Sequence, residues 1–349
     1  MTLPRLVLAA VAAVATGLLT APTLPVAAAA SCEIDRIERI VAVGDVHGAY
    51  DQLVDILRTA GLLDARMRWS GRRTHLVQLG DVVDRGPDSR KVLDLLRRIE
   101  GDARRAGGAV HVLLGNHEVM RMLGDFRYTV PGEYKAFTTG ESEELRQAFL
   151  DGQPPELRDE LLKELPVGSL EMRVAFSRRG VYGEWLRKLN AVVRINGILF
   201  VHGGISPVNA GLRCDAINAA VRREITEEEG KSRADPLHTL SGAEDGPLWY
   251  RGLAEEPDSF APEAEAILAA QQASAVVVAH TVTPDQRIRV RFGGRVVVVD
   301  TGMQPQYVES GRASALEIQR GVFTAIYADR RDRLFAQPAP AGSPAATGR

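Results

Sequence analysis

The chain carries six short runs of apolar, mostly β-branched residues, and each run changes abruptly into polar residues. These patterns occupy residues 39–48, 74–86, 110–118, 197–204, 275–281 and 295–302. Short continuous apolar runs bounded by glycine are typical of buried β-strands. Open α/β folds build their sites at the carboxyl ends of strands, so the polar residues after each run predict a functional site.

Helical patterns separate these predicted strands. Residues 51–63 and 89–107 space their apolar positions three and four apart, which predicts amphipathic helices. The segment 119–190 is longer and more polar, and we interpret it as a helical insert that covers the site. Helical patterns within it cover 143–150 and 182–190. The alternation of strands and helices predicts an α/β domain.

The first 30 residues have the layout of a secretory signal peptide. A single Arg5 precedes an apolar stretch at 6–19, and small residues allow cleavage after Ala30. A membrane anchor is the alternative, but the stretch is short for a span. We therefore expect an exported protein, periplasmic or secreted from a bacterium. The catalytic domain is expected at 33–335, and the Pro- and Ala-rich tail at 337–349 is expected to be disordered.

The two cysteines, Cys32 and Cys214, leave two interpretations open. They could pair as a disulfide, because the compartments that receive exported proteins tolerate disulfides. Alternatively, Cys32 could carry a lipid, because it follows small residues just after the apolar stretch. We expect no stable membrane partner unless Cys32 is lipidated. Neither cysteine lies in a catalytic motif.

The formal net charge of −2 argues against a dedicated nucleic-acid binder, so no nucleic-acid partner is expected. The chain has no G-x-S-x-G nucleophile elbow and no G-x-x-x-x-G-K-[ST] phosphate loop. A serine esterase and a P-loop nucleotide enzyme are therefore disfavoured. A metal-dependent binding protein without activity is a further alternative, which a missing metal ligand, proton donor or phosphate-binding arginine would favour.

The polar residues after the predicted strands are mainly nitrogen and oxygen donors. They are Asp45 and His47, then Asp81, Asp84 and Arg85, then Asn116 and His117, and finally His202 and His280. Carboxylate, amide and imidazole groups suit manganese, iron or zinc. Several strand ends with such groups predict a metal site. His75 and His111 lie at the starts of strands instead, so we interpret them as structural.

The order of the motifs GDVHG, GDVVDRG, GNHE, VHGG and AHT resembles the phosphoprotein phosphatase family of metallophosphoesterases. The segments at 118–128, 199–207 and 248–252 resemble its Shewanella-like branch, and the resemblance runs from Ile40 to Met303. It implies a calcineurin-like four-layer sandwich, in which two central mixed β-sheets lie between helices, with a helical insert.

The resemblance also implies roles for the site residues. Six metal ligands are implied: Asp45 and His47 for the first ion, Asp81 between both ions, and Asn116, His202 and His280 for the second. His117 is implied as the proton donor and Asp84 as the residue that orients it. Arg85, Arg251 and Asn116 are implied to bind the substrate phosphate. The cofactors would be two divalent ions, manganese first, with iron or zinc as alternatives.

The implied reaction is hydrolysis of phosphate monoesters by in-line attack of a metal-bridging hydroxide. The expected substrates are phosphoserine, phosphothreonine or phosphotyrosine in proteins, or a small phosphomonoester. A dinucleoside polyphosphate hydrolase is the alternative, because that class shares the metal motifs. Arg127, Tyr128 and Arg179 in the insert are candidate substrate contacts, although exposed helix faces carry such residues routinely.

Overall fold

The computed structural model describes residues 32–227 and 239–337, and its β-strands form two six-stranded sheets. The strands are β1 (Glu33–Ile34), β2 (Arg39–Val43), β3 (His75–Gln78), β4 (Ala109–Val112), β5 (Val192–Ile195), β6 (Ile198–Val201), β7 (Ala275–Val278), β8 (Arg289–Arg291), β9 (Val296–Val298), β10 (Ser314–Gln319), β11 (Val322–Tyr327) and β12 (Arg331–Ala336). The first sheet has the order β1-β5-β6-β7-β9-β8, and the second has the order β12-β11-β10-β2-β3-β4.

Both sheets are mixed. Strands β2, β3 and β4 run parallel in one sheet, and β6, β7 and β9 run parallel in the other. The antiparallel strands lie around them, with β5 joined to β6 through a two-residue turn of Asn196 and Gly197. Both turn residues have positive φ, 53° and 75°, and an Asn-Gly pair suits the tight hairpin turn that this conformation forms.

Alternating faces of the parallel strands explain why their sequences are apolar throughout. Ile40 and Ala42 of β2 pack with Phe200 of β6 in a core between the two sheets. Val41 and Val43 of the same strand belong to a separate core that includes the helices. Because both faces of such a strand are buried, apolar residues occupy successive positions instead of alternating with polar ones.

The helices cover the outer faces of the sheets. They are α1 (Tyr50–Thr59), α2 (Ser89–Arg105), α3 (Asn116–Met122), α4 (Pro131–Lys135), α5 (Ser142–Asp151), α6 (Pro155–Glu164), α7 (Ser169–Phe176), α8 (Gly183–Leu186), α9 (Cys214–Glu227), α10 (Gly252–Glu255) and α11 (Ala261–Ala270). Helices α1 and α2 contact the sheet of β2, and α9 and α10 contact the sheet of β6. The predicted fold class, two mixed sheets flanked by helices, is confirmed.

The predicted elements differ from the structure in two respects. The six continuous apolar runs form β2, β3, β4, β6, β7 and β9. We predicted no strand at β1, β5 or β8, nor at β10 to β12, whose alternating or charged sequences lie in an antiparallel meander. The helix predicted over 182–190 is a single turn, α8, followed by turns.

Between 119 and 190 the structure has the end of α3 and then α4 to α8. Their packing centre is aromatic, with Phe137, Phe176 and Tyr182 in mutual contact. Helix α6 has no buried residue. Among the described residues, no helix has the length and apolar character needed to cross a membrane.

Cys32 and Cys214 form a disulfide across a sequence separation of 182. The bond ties the residue before β1 to the first residue of α9. A paired Cys32 has no free sulfur for a lipid, so the structure favours the first of the two interpretations. The expected signal peptide at 1–30 and the tail from 338 onward lie outside the described residues, whereas the Gln337 N–H donates to the Gly321 carbonyl.

Candidate metal centre and phosphate-binding site

The candidate ligands meet at the carboxyl ends of the parallel strands. Asp45 and His47 follow β2, Asp81 follows β3, Asn116 follows β4, His202 follows β6 and His280 follows β7. All of these side chains are buried. The two sheets therefore bring these candidate ligands to one buried centre at their strand ends.

Asp81 lies at the middle of this centre. Its Oδ2 is 3.3 Å from the His202 Nε2 and 3.7 Å from the His47 Nε2. Two groups of donor atoms share it, one with His47 and His117 and one with His202 and His280, and the atoms of each group lie within 4.8 Å of one another. A carboxylate with imidazoles on both sides is a geometry that suits a bridge between two cations.

Backbone carbonyls fix the tautomers of two histidines. The His47 Nδ1 lies 2.9 Å from the Val83 carbonyl, and the His202 Nδ1 lies 2.7 Å from the Leu79 carbonyl. A carbonyl only accepts, so each Nδ1 must carry the proton and donate it. The Nε2 of each ring is then an unprotonated donor to a metal, and its orientation is set by the second bond.

Several atoms in the centre lack a partner that a protein group could supply. The His202 Nε2 is 3.0 Å from the Asn116 Oδ1, although both atoms are acceptors in this arrangement. The His280 Nε2 is buried and has no hydrogen-bond partner. A cation between such acceptors would satisfy them, and this nitrogen and oxygen set suits manganese, iron or zinc. The residues therefore fit a pair of divalent ions.

The pKa values of three candidate ligands, His280, His47 and Asp81, are consistent with metal ligands in their unprotonated forms. Burial, together with the neighbouring His202 and Arg251, lowers the pKa of His280 to about 2. Burial also lowers the pKa of His47 to about 4. Burial alone would raise the pKa of Asp81, but the surrounding histidines, His202 first, hold it well below its usual range.

The loops reach this arrangement through unusual backbone conformations. Positive φ angles occur at His47 (48°), Asp81 (53°), Asp84 (70°), Arg85 (65°) and His280 (63°). Side-chain-bearing residues rarely adopt this region, and each such position costs about 1–3 kcal/mol. Five of the thirteen non-glycine residues with positive φ in the described part of the chain lie at this centre, so the surrounding structure must stabilise an unusual backbone there.

Glu118 is one of the groups that hold the loops. Its carboxylate accepts the backbone N–H groups of Asp81 (2.8 Å), Val82 (2.7 Å) and Gly115 (2.8 Å). The loops approach so closely that a Cβ on Gly80 would lie 2.4 Å from the Gly115 nitrogen. Glu118 thus joins the GDVVDRG loop to the GNHE loop, and only glycine fits at their contact.

His117 and Asp84 form a pair beside the centre. The His117 Nδ1 donates to the Asp84 Oδ2 at 2.8 Å, and the His117 Nε2 is 3.8 Å from the Asp81 Oδ2. Burial would lower the pKa of His117, but Asp81 and Asp84 outweigh it and raise the pKa above its ordinary value. A protonated imidazole donates rather than ligates, so the pair has the form of a proton donor and its orienting carboxylate.

Two arginines flank the centre. The Arg85 guanidinium lies between two tyrosine rings, 4.5 Å from the centroid of Tyr128 and 3.9 Å from that of Tyr307. Arg251 is exposed and donates to the His280 carbonyl at 2.8 Å and to the Thr281 Oγ1 at 3.1 Å. Both cations therefore lie next to metal-ligand candidates, where they could contact the oxygens of a phosphate.

The three candidate substrate contacts of the insert are placed differently. Tyr128 stacks on Arg85 and also lies 5.1 Å from the His117 ring. Arg127 is exposed and pairs with Asp125 at 2.7 Å. Arg179 is exposed on the insert. Only Tyr128 of these three contacts residues of the predicted site in the described part of the chain.

The sequence prediction missed some residues of the site. Asp300, which follows β9, is buried next to Asp45, and burial raises its pKa to about 6. Burial and the neighbouring Asp300 raise the pKa of Asp45 well above its usual range. The signal was available, because 295–302 was one of the six strand patterns. Tyr307 had no motif to mark it, and Arg121 lies in the segment 118–128 that carries the resemblance, but no role was predicted for it.

Comparisons with known proteins agree with this geometry. Residues 38–284 match the calcineurin-like phosphoesterase family, a range that includes every candidate ligand from Asp45 to His280. An uncharacterized protein of Schizosaccharomyces pombe is 32% identical over 80% of this chain and 77% of its own length. Shewanella-like protein phosphatase 2 of Arabidopsis thaliana is 28% identical over 88% of this chain and 82% of its own. A crystal structure of a cold-active protein-tyrosine phosphatase from a psychrophilic Shewanella species has a TM-score of 0.70 at 28% identity, over 87% of this chain and 82% of that one.

Proposed function

The chain belongs to the calcineurin-like phosphoesterase family, and from this premise we propose that it hydrolyses phosphate monoesters on proteins. As a metallophosphoesterase it acts with divalent metal ions, and the proposed pair is manganese, with iron or zinc as alternatives. The observation that carries the proposal is the central Asp81, whose Oδ2 lies 3.7 Å from the His47 Nε2 and 3.3 Å from the His202 Nε2. The His117–Asp84 pair lies beside these ligand candidates.

The proposed reaction adds water across the bond between phosphorus and the ester oxygen. Two bound divalent ions would supply the Lewis acidity that activates the water and neutralises charge on the phosphate. Asp45, His47 and Asp81 would hold the first ion. Asp81 together with Asn116, His202 and His280 would hold the second.

The chain's own residues would bind the phosphate and supply the proton. The phosphate oxygens would accept hydrogen bonds from Arg85 and Arg251, a role that suits the planar guanidinium fork. The side-chain amide of Asn116 would donate a further hydrogen bond. The leaving oxygen needs a proton when the bond to phosphorus breaks, and the Nε2 of His117 would donate it. Asp84 would hold the Nδ1–H of His117, so that Nε2 faces the substrate. General acids of this kind contribute roughly 10²–10⁴-fold to a rate.

Phosphotyrosine is the substrate that we place first among phosphorylated residues. Two exposed tyrosine rings, Tyr128 and Tyr307, lie at the edge of the centre on either side of Arg85. Flat aromatic walls would pack against an aryl leaving group. The similar Shewanella protein is named a protein-tyrosine phosphatase, and the Arabidopsis relative a protein phosphatase. Phosphoserine, phosphothreonine and small phosphomonoesters follow as further substrates.

We also propose that the protein is exported, to the periplasm or the medium. The Cys32–Cys214 disulfide supports this, because disulfides persist in oxidising compartments. The apolar stretch at 6–19 would be the export signal. Fractionation of cells that express the full chain would test the proposal, and recovery of the uncleaved protein from the cytosol would contradict it.

The test of the activity is phosphate release by the manganese-loaded protein. The panel contains phosphotyrosine, phosphoserine and phosphothreonine peptides of one sequence, together with a dinucleoside tetraphosphate. We expect release from peptides, the highest from phosphotyrosine, and a large loss of turnover in His117→Asn with its metal content kept. His75→Asn is the matched control, because His75 lies at the opposite end of β3. Cleavage of the dinucleotide alone would overturn the proposal.

A further inference from the structure

Arg121 is a buried charge that the proposed reaction does not use. It lies on α3, four residues after His117, and is 1% exposed. Its guanidinium donates to the Asp84 Oδ1 and, at 2.9 Å, to the Glu133 Oε1. The Phe176 ring, 5.2 Å from the guanidinium carbon, packs against it. A charge in such surroundings is tolerated only when it is paired, so the position must serve these two carboxylates.

Asp84 has little freedom to turn. Its Oδ2 accepts the His117 Nδ1–H, and its Oδ1 accepts Arg121 and the Thr129 hydroxyl at 3.0 Å. The same Glu133 Oε1 that accepts Arg121 also accepts the backbone N–H of Asp84 at 3.1 Å. Both the main chain and the side chain of Asp84 are therefore held by residues of α3 and of the first part of the insert.

Glu133 connects this arrangement to the insert. It lies on α4, it is 1% exposed, and its Oε2 accepts the backbone N–H of Val130 at 3.2 Å. The Met172 Sδ on α7 lies 3.4 Å from the Arg121 Nη1. Helices α4 and α7 of the insert thus both contact Arg121, which is hydrogen-bonded directly to Asp84.

We propose that Arg121 is a positioning residue for proton transfer to the leaving oxygen. It holds the Asp84 carboxylate against the Nδ1 of His117, so that the Nε2 proton faces the substrate, and through Glu133 it fixes the insert to this pair. The proposal rests on the proposed function, because it requires His117 to be the proton donor. Arg121 itself does not touch the substrate.

This role predicts a dependence on the leaving group. An aryl ester whose phenol has a pKa of about 10 needs a proton as the bond breaks. A 2,4-dinitrophenyl ester releases a stable anion and needs none. Loss of Arg121 leaves Thr129 as the remaining side-chain partner of the Asp84 Oδ1, so the carboxylate can turn away from His117. The rate of hydrolysis of the simple aryl ester therefore falls, whereas the rate for the 2,4-dinitrophenyl ester changes little.

The experiment compares kcat/KM for phenyl phosphate and 2,4-dinitrophenyl phosphate with the manganese-loaded protein. For Arg121→Met we expect a loss of roughly 10–100-fold on phenyl phosphate, within the usual contribution of a general acid, and a loss of less than about 3-fold on the dinitrophenyl ester. Metal content and circular dichroism are measured on each variant.

Three further variants complete the set. Arg121→Met with Glu133→Gln removes one positive and one negative charge together, so the buried charge stays balanced. Arg121→Lys keeps the charge but not the planar fork, and we expect an intermediate ratio of the two rates. Arg173→Met is the matched control, because Arg173 also stacks on an aromatic ring of the insert, 4.2 Å from Phe126, and is exposed. We expect the wild-type ratio for it.

The outcomes separate the two proposals. If the wild-type protein hydrolyses neither ester, the proposed function fails and the positioning role falls with it. If the wild type is active and Arg121→Met loses the same factor on both esters, Arg121 has only a structural role and the proposed function stands. Where Arg121→Met does not fold, the charge-balanced variant decides by the same ratio. If that also does not fold, a wild-type ratio in Arg121→Lys overturns the positioning role.

Discussion

Removal of the Cys32–Cys214 disulfide should lower the stability of the protein substantially. The bond closes a loop with a sequence separation of 182. In the chain-entropy treatment, a loop of this length removes unfolded-state entropy worth about 5 kcal/mol at 25 °C, and measured losses for native disulfides lie at roughly 2–5 kcal/mol. For a domain of roughly 300 residues, with an unfolding entropy of about 2.1 cal/mol/K per residue, that range corresponds to a fall in Tm of about 3–8 °C.

The structure indicates where the loss would begin. The disulfide lies next to β1, a two-residue edge strand. Glu33 of this strand pairs with Arg194 at 2.6 Å and with Arg213 at 2.6 Å. Ion pairs this exposed contribute about 0–1 kcal/mol each, so they cannot replace the covalent link. After reduction, β1 should open before the rest of the sheet.

Scanning calorimetry would compare the oxidised protein, the reduced protein and the Cys32→Ala, Cys214→Ala variant. The reduced wild type is the main measurement, because the alanines also leave small cavities at two buried positions. Thiol titration of the oxidised protein should find no free cysteine. An unchanged Tm after complete reduction would refute the loop-entropy argument, and two free thiols in protein purified under oxidising conditions would refute the pairing itself.

Three further predictions follow from particular contacts. The His111 Nε2 lies 3.0 Å from the His75 Nδ1, and burial, with a smaller contribution from His75, lowers the pKa of His111 to about 4. The unfolded chain therefore binds this proton at a higher pH than the folded chain does. The free energy of unfolding should have its full value above about pH 6.5 and lose about 3 kcal/mol as the pH falls toward 4. Urea unfolding at several pH values would measure this loss, and an unchanged pH slope in His111→Gln would contradict it. Tyr307→Leu should lower kcat/KM for aryl phosphates by about 5-fold, because Arg85 loses a cation–π contact worth about 1 kcal/mol. Tyr307→Phe keeps the ring and should match the wild type, so equal losses in the two variants would assign the effect to the hydroxyl instead. Removal of metal by a chelator should lower Tm, and manganese at about 100 times its Kd should raise the free energy of unfolding by about 2.7 kcal/mol. A Tm that does not respond to the chelator, in a protein that contains no bound metal, would contradict the metal centre.

The candidate metal ligands could be recognised in the sequence because each follows a short apolar strand. Such strands produce continuous apolar runs, and the change to Asp45 or His202 at the end of a run is visible without any structure. Asp300 has the same local signal as Asp45 but was not chosen as a ligand. Its proximity to Asp45 depends on β9 and β2 belonging to different sheets that meet at the site, and sheet order is a long-range property.

The antiparallel strands were harder to predict for a different reason. Strand β10 alternates buried and half-buried positions at its carboxyl end, and β12 carries Arg331 and Arg333 on an edge. A short alternating strand gives a weak pattern in a sequence rich in charged residues. Both β10 and β12 become recognisable as strands only through their antiparallel pairing with β11, which is visible only in the folded chain.

The charges of the insert are the clearest case in which sequence polarity misleads. Arg121 and Glu133 look like solvated residues of a polar helical segment, yet both are almost fully buried. Burial is tolerable because each charge has a fixed partner, and the partners include Asp84 from a different loop. An insert that had only to cover the centre could bury apolar residues at these positions with less desolvation cost. Buried charges that converge on the partner of His117 therefore indicate that the insert contributes to the geometry of the site as well as to its cover.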